Sequence, residues 1–344
     1  MKLSKFLISI VSFVFLQIAS TTMAADYTLR IHHFLPDDSL PHTSLVVPWA
    51  QKVEKESNGR IDVKIYPAMA LGGKTQHLVD QAVDGTVDIV WTAAAYTPTR
   101  FPHAEVFTLP LVHNGNAAAT NQALMSQIDG LLATDFKGLK PLLTHVQAGH
   151  SLHLPAKTVK GLEDMKGLKI RPAGRRVGLW VLDALGLKHY KKRHPKLSEA
   201  LAQNKLDGAM MSFQLAETLE SITAVKSHTM LAEDQYFGTS LYLFLMNLDS
   251  YNALPKDLQQ VIDNNSGMEL ARETGLIWQH AEEEAIAAAR KHGNTINILD
   301  EEQQARAEKL LLSIHHRWAA DVAKHGVDGM ALIEQARRLI AKYM

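Results

Sequence analysis

Lys166-Gly167-Leu168-Lys169-Ile170-Arg171-Pro172-Ala173-Gly174 is the stretch on which the reading of this chain turns. Leu168 and Ile170 alternate with charged residues, as a half-buried strand requires, and Pro172 with Gly174 stops that strand and opens a helix near Arg175. Arg171 is thereby placed at a strand mouth, where open α/β sheets bind ligands. Its guanidinium stays charged at working pH and carries a planar fork of donors, which suits it to clamp a carboxylate. The alternative is a solvated surface arginine.

Outward from this block, strands alternate with helices. Residues 27–32 alternate like a strand, 41–56 carry apolar residues at helical spacing up to the stop Asn58-Gly59, and 61–67 alternate most regularly of all. A helix over 75–83 and a strand over 87–91 follow. Such repeated units imply mostly parallel sheets with right-handed crossovers. Residues 142–154 read as one strand leaving the first unit, and 161–165, the Arg171 strand, helices over 177–185 and 197–204, and the segment 206–211 build a second. The run 239–247 is continuously apolar, as a strand buried on both faces requires. Beyond Leu254-Pro255 one helix is expected from Lys256 to Ala289, long enough to reach across two domains.

The 344 residues carry 36 basic and 36 acidic side chains, so no polyanion partner is indicated and nucleic acid is not expected. Lys2 and Lys5 precede an apolar run from Phe6 to Ile18 and a small-x-small site, Thr22-Met23-Ala24, the pattern of a signal peptide over residues 1–24. Its removal leaves 34 basic against 36 acidic residues. The expectation is an exported, soluble protein in the periplasm. Cysteine is absent, which excludes a disulfide framework and thiolate chemistry. A mature chain of this length favours two domains.

The seventeen histidines invite a metal reading, but His150 and His153 are three apart on a strand and face opposite ways, while His32-His33 and His315-His316 are adjacent pairs that also diverge. No metal and no cofactor are expected. Gly72-Gly73-Lys74-Thr75 lacks the earlier glycine of a phosphate loop, since Ala68 stands there, and Gly149-His150-Ser151-Leu152-His153 is one glycine short of a nucleophile elbow.

An ordered set of short motifs now adds to this reading: Gly59-Arg60-Ile61, Tyr66-Pro67, Leu71-Gly72-Gly73, Asp84-Gly85-Thr86-Val87-Asp88-Ile89, Phe101-Pro102, Leu109-Pro110, Asp164 through Arg171, Asp207-Gly208, and Asn247 before Leu254-Pro255. Together they resemble the DctP-type substrate-binding proteins of tripartite ATP-independent periplasmic (TRAP) transporters, over essentially the whole mature chain. The resemblance implies an α/β, two-domain periplasmic binding protein clamp, with mostly parallel sheets, hinge strands and a long domain-spanning helix. It also implies a receptor, not an enzyme, that captures an organic acid and delivers it to TRAP membrane permease subunits driven by an ion gradient. Domain I would comprise 25–145 with about 235–265, and domain II 146–234 with the C-terminal helices to 344. Hinges would lie near 144–147 and 232–236. Arg171 matches the arginine that pairs with the ligand carboxylate in that family.

The chain also departs from the family. A Gly-x-Arg step, the source of a second arginine in many members, reads Gly149-His150-Ser151 here, and Met210-Met211-Ser212-Phe213 argues against a sugar acid. The candidate ligand-binding residues are Arg171, Trp91, Tyr96, Phe34, His150, Ser151, Met211 and Phe213. Their aromatic and thioether surfaces suit a monocarboxylate with an apolar, aromatic or keto-acid body. Each aromatic or methionine also has a plain reading as core. Two other functions compete: a secreted hydrolase using Ser151 or Ser44, and a metal- or metallophore-binding receptor using the histidines. A monomer is expected, with Leu310, Leu311, Leu312 and Trp318 open to either core or partner.

Overall fold

The structure is a computed structural model that describes residues 25–190, 197–219, 224–232 and 235–344. The signal-peptide segment 1–24 and part of the expected hinge at 232–236 lie outside the described residues. β1 (Tyr27–His33) leads through α1 (Val47–Glu56) to β2 (Ile61–Tyr66), and α2 (Leu78–Val83) leads to β3 (Ile89–Ala93). α3 (Ala117–Met125) precedes β4 (Leu139–Val146), then β5 (Ser151–Leu154), α4 (Leu162–Met165), β6 (Lys169–Arg171), α5 (Val177–Ala184) and β7 (Lys188–His189). α6 (Leu197–Ala202), β8 (Gly208–Met211), α7 (Phe213–Thr218), β9 (Ser227–Met230) and β10 (Leu241–Asn247) come next. The remainder is mostly helical: α8 (Leu248–Asn252), α9 (Lys256–Asn264), α10 (Met268–Lys291), the short β11 (Thr295–Ile298), α11 (Glu301–Val322) and α12 (Gly329–Lys342).

The strands form two sheets, ordered β2-β1-β3-β10-β4 and β11-β9-β5-β8-β6-β7. Both are mixed rather than mostly parallel. β10 runs antiparallel to β3 and β4, and β5 runs antiparallel to β8 and β9. The reason is connectivity: β5 and β10 enter straight from the other sheet, with no returning helix of the kind a parallel pairing needs. Every residue of β10 is buried.

Residues 142–154 are therefore two strands in different sheets, not one. The break at 147–150 is made by tertiary contact. Gly149 has φ +158 and passes the segment 235–240 so closely that a Cβ would lie 2.1 Å from the Tyr236 ring. The expected helix from Lys256 to Ala289 is likewise broken. Gly267 (φ +83) separates α9 from α10, and the turn is held from outside the helix: Trp49 Nε1 donates to the Asn265 carbonyl at 2.8 Å and the Gly267 N–H to the Leu142 carbonyl at 3.0 Å.

α10 is 24 residues long, about 36 Å at the usual helical rise. Its first half packs on α3 and β4 of the first sheet, and its second half on α7 and β11 of the second. Side chains of both sheets and of α11 and α12 share one continuous core, in which Leu243, Leu152, Ile170 and Trp318 are fully buried. Leu311 is buried with them, while Leu310 and Leu312 are exposed. Among the described residues no helix is long and apolar enough to cross a membrane.

The α10–α3 crossing depends on Gly275, where an added Cβ would lie 2.3 Å from the Ala118 Cα. We expect Gly275→Val to destabilise the fold by about 2 kcal/mol or more through overpacking, read from urea unfolding midpoints at unchanged slope. An unshifted midpoint would mean that the two helices separate without penalty.

Candidate ligand cleft

A cleft of about 690 Å³ opens between the two sheets. Ala93, Ala95, Tyr96 and Tyr242 line it from the first sheet, and Arg171, Arg175, Met210, Met211 and Leu215 from the second. His150 and Ser240 enter from the two crossover segments between them.

Arg171 ends β6, and the turn after it is compact by necessity. Gly174 (φ +90) brings the backbone so near the first sheet that a Cβ would lie 3.3 Å from the Ala95 Cβ, and at Gly178 a Cβ would meet the Ala173 carbonyl oxygen at 1.8 Å. Desolvation holds the Arg171 guanidinium below the ordinary arginine value, with the nearby phenols of Tyr96 and Tyr242 acting in the opposite sense. The group stays charged. Among the described residues it has no carboxylate partner.

The other arginines of the turn differ. Arg175 lies exposed at the rim of the cleft. Arg176 is neutralised by Glu105 and Asp321, with Nη2 2.5 Å from the Asp321 carboxylate. Trp318 Nε1 donates to the same Glu105 at 2.9 Å. Arg176 thus ties the turn to the first-sheet side and to α11.

Of the residues expected from sequence to bind ligand, Arg171, Tyr96, His150 and Met211 line the cleft. The other four do not. Trp91 lies behind the wall, stacked on Tyr242 at 4.9 Å and on Phe34 at 5.3 Å, and its Nε1 donates to His145 Nε2 at 3.1 Å. Phe34 supports Tyr96 edge-on at 5.1 Å. Phe213 is fully buried against His153 and His228. Ser151 is fully buried, and its Oγ has no hydrogen-bond partner and hence no base to activate it. Only Trp91 and Ser151 are on strands, while Phe34 follows β1 and Phe213 opens α7, and the three aromatic side chains are taken up by packing beneath the cleft lining, against Tyr242, Tyr96, His153 and His228.

Tyr242, Ser240, Tyr190 and Leu215 line the cleft without having been foreseen. The one signal available was a tyrosine hydroxyl inside the otherwise aliphatic run of β10.

The histidines near the cleft are neutral. Burial lowers His150 and His145 to about 3 and His113 and His153 to about 4 from the ordinary 6.5. His228, also lowered to about 3 by burial, places its Nδ1 2.7 Å from Nδ1 of His153, whose Nε2 donates to the Met211 carbonyl at 3.0 Å. Asn294 Nδ2 donates to His228 Nε2 at 3.0 Å, so every ring nitrogen of the pair has a role. Among the described residues no group of three or more histidine, aspartate or glutamate side chains could hold a metal ion.

Two α/β lobes joined by crossing segments, with a desolvated cation facing the cleft between them, define a solute-binding clamp. The family model "Bacterial extracellular solute-binding protein, family 7" (DctP) matches residues 31–321, and the chain belongs to this family, the DctP-type solute-binding proteins of TRAP transporters. It is a transport family rather than a class of enzymes, and its members bind small organic acids and work with membrane permease subunits. The fold is similar to that of a marine metagenome TRAP solute-binding protein from an unidentified microbe, specific for aromatic acid ligands and solved with 3-hydroxybenzoate. Identity is 37%, coverage 93% of this chain and 99% of that one, and the TM-score 0.87. A TRAP solute-binding protein from Rhodoferax ferrireducens T118, solved with copurified benzoate, is 34% identical over 92% of this chain and 98% of its own, with TM-score 0.85. The C4-dicarboxylate-binding periplasmic protein DctP of Rhodobacter capsulatus is 21% identical over 329 residues, 93% of this chain and 94% of its own.

The buried histidines predict a pH dependence. Their folded pKa values of about 3 to 4 lie below the unfolded 6.5, so they leave stability untouched above pH 6.5 and reduce it as pH falls towards 4, because the unfolded chain takes up protons that the folded one refuses. Each unit of displacement is worth about 1.4 kcal/mol. Buried Glu282, raised to about 7 by desolvation, acts in the opposite sense and reduces stability as pH rises from 4.5 to 7. The histidines outnumber it. Urea unfolding across pH should therefore give stability that falls steeply below 6.5, and a flat profile would mean that these rings are charged or exposed.

Proposed function

We propose that this protein is the periplasmic receptor of a TRAP transporter for an aromatic monocarboxylate, with Arg171 holding the carboxylate. The observation that carries the reading is the Arg171 guanidinium itself: desolvated in the cleft, with no carboxylate partner among the described residues. Around it stand Tyr96, Tyr242, Met210, Met211, Leu197, Leu206 and Leu215, an aromatic and aliphatic wall suited to a ring. Two relatives at 34% and 37% identity were solved with benzoate and 3-hydroxybenzoate, which supports an aromatic acid over a sugar acid or an aliphatic diacid. Keto acids are the second ligand class to be tried.

In this reading residues 1–24 are a signal peptide removed on export. Domain I, 25–145 with about 235–265, and domain II, 146–234 with the C-terminal helices, close on the ligand by rotating about hinges near 144–147 and 232–236. Arg171 from domain II grips the carboxylate, and Tyr96 from domain I closes over the ring. Closure desolvates the pair further and strengthens it. The closed monomer then presents the acid to the permease subunits. Phe34 and Trp91 act through Tyr96 and Tyr242, which they stack against, rather than by touching the ligand. The protein carries out no catalysis and needs no metal.

Isothermal titration of the mature protein with benzoate and 3-hydroxybenzoate tests this. Arg171→Ala should weaken binding by about 2–5 kcal/mol, roughly thirty-fold to several-thousand-fold, because it leaves the carboxylate buried and unpaired. Arg171→Lys should recover only part, since a point charge lacks the planar fork. Saturating acid should raise the wild-type melting temperature, with a gain of about 2.7 kcal/mol at a hundred times Kd, and leave the folded Arg171→Ala protein unmoved. An acid that binds both forms equally would remove Arg171 from the site.

A further inference from the structure

We propose that His150 and Ser240 together form a hydroxyl-recognition subsite, so that the cleft selects aromatic acids whose ring carries a hydroxyl group. The inference rests on the proposed function of the cleft and names the substituent of its ligand. His150 belongs to the crossover from β4 to β5 and Ser240 to the crossover from β9 to β10. His150 Nε2 lies 2.9 Å from Ser240 Oγ. Both residues line the cleft that holds Arg171, and both also line a side cavity of about 60 Å³ next to it. They therefore stand where the two spaces meet.

Strand register sets the separation from Arg171. Arg171 pairs with Ala209 of β8, and Ala209 with His153 of β5, so β6 and β5 flank β8 about 10 Å apart. Because β5 runs antiparallel to β8, its start, with His150 just before it, lies at the same mouth where β6 ends in Arg171. A ring whose carboxylate is held by Arg171 thus turns its far edge to His150 and Ser240. Backbone bonds between the two crossover segments hold the pair there. The His150 N–H donates to the Gly238 carbonyl at 2.8 Å, the Phe237 N–H to the His150 carbonyl at 3.0 Å, and the Gln147 N–H to the Ser240 carbonyl at 3.4 Å.

A hydroxyl is the group that these partners match. When His150 Nε2–H donates to Ser240 Oγ, the serine keeps its own proton to give away; when Ser240 donates to Nε2, its lone pairs accept. A ring hydroxyl both donates and accepts, so it fits either arrangement, and a methyl group fits neither. Burial keeps the imidazole neutral, so the pair offers no charge with which to hold a second carboxylate. The side cavity adds acceptors of the same kind. Thr108 Oγ1 donates to the Glu105 carbonyl at 2.7 Å and Thr239 Oγ1 to the Gln147 carbonyl at 2.8 Å, which leaves each hydroxyl oxygen as an acceptor. Glu105 and Arg176, which also line this cavity, neutralise each other. Its volume takes a hydroxyl with bridging water.

Titration calorimetry with benzoate, 3- and 4-hydroxybenzoate and their isosteres 3- and 4-methylbenzoate tests the proposal on wild type, Ser240→Ala and Ser240→Thr. Wild type should bind at least one hydroxybenzoate about tenfold or more tighter than its methyl isostere, the scale of a hydrogen bond that the methyl ring leaves unmade. Ser240→Ala should bring that ratio to within about twofold and should weaken the hydroxybenzoate more than benzoate, which has no hydroxyl to lose. Ser240→Thr keeps a hydroxyl and should keep most of the preference. A ratio that survives Ser240→Ala, or an equal loss of all five acids in that variant, overturns the subsite. If wild type binds benzoate, Arg171→Ala loses it and no hydroxybenzoate is preferred, the subsite is wrong and the cleft reading stands. If wild type binds none of the acids, the subsite falls together with the aromatic-acid reading.

Discussion

A guanidinium taken out of water is costly unless an anion replaces the lost hydration. Arg171 is in that position, and much of the surrounding structure serves to hold it there. Its strand ends in a turn that only glycine at 174 and 178 lets pack so tightly. Arg176, five residues on, spends its charge on Glu105 and Asp321 and so anchors the turn to the opposite lobe and to α11. Three arginines within six residues thus have three fates: one paired, one at the exposed rim, one facing the cleft without a carboxylate. Pairing rather than proximity separates the structural arginine from the candidate for ligand contact.

The same economy of charge explains the histidines. Those around the crossover segments are buried and neutral, and they satisfy backbone and side-chain partners as ordinary polar groups. His113 accepts from or donates to Thr120 at 2.9 Å and reaches the Ala148 carbonyl at 2.5 Å, His150 reaches Ser240, and His153 with His228 bridges to Met211. Imidazole suits this task because it can hydrogen-bond at both nitrogens without carrying charge. The field in the cleft is then left to Arg171 and Arg175 among the described lining residues.

Connectivity sets the mechanics. The chain passes directly from one sheet to the other before β5 and before β10, and α10 spans both at the back, so the lobes share a core and are joined by a short set of segments. Gly149 marks the point where the two crossover segments touch. His150, one residue beyond that contact, and Ser240, four residues beyond it on the other segment, both line the cleft.

Much of the fold was legible in the sequence because alternation and punctuation are local. β1, β2, β6 and α5 follow from period-2 or period-3.6 patterns bounded by glycine, proline and asparagine, and the buried β10 follows from its continuous apolar run. The two breaks that the sequence concealed, at 147–150 and at Gly267, are made by partners far along the chain: Tyr236 in one case, Trp49 and Leu142 in the other. No window of local pattern contains those partners. In the site, the strand-mouth position of Arg171 could be read from its neighbours, as could the approach of Tyr96, His150 and Met211. Whether Trp91, Phe34, Ser151 and Phe213 face the cleft or the layer beneath could not, because that depends on how the strands and the segments after them pack across the gap. Tyr242 and Ser240 were hidden for a related reason. A strand buried on both faces shows no alternation, so its sequence cannot say which face is core and which is cleft. The chain's own residues determined the elements, the charge and the arginine; only the packing of two sheets across one gap decided what stands around it.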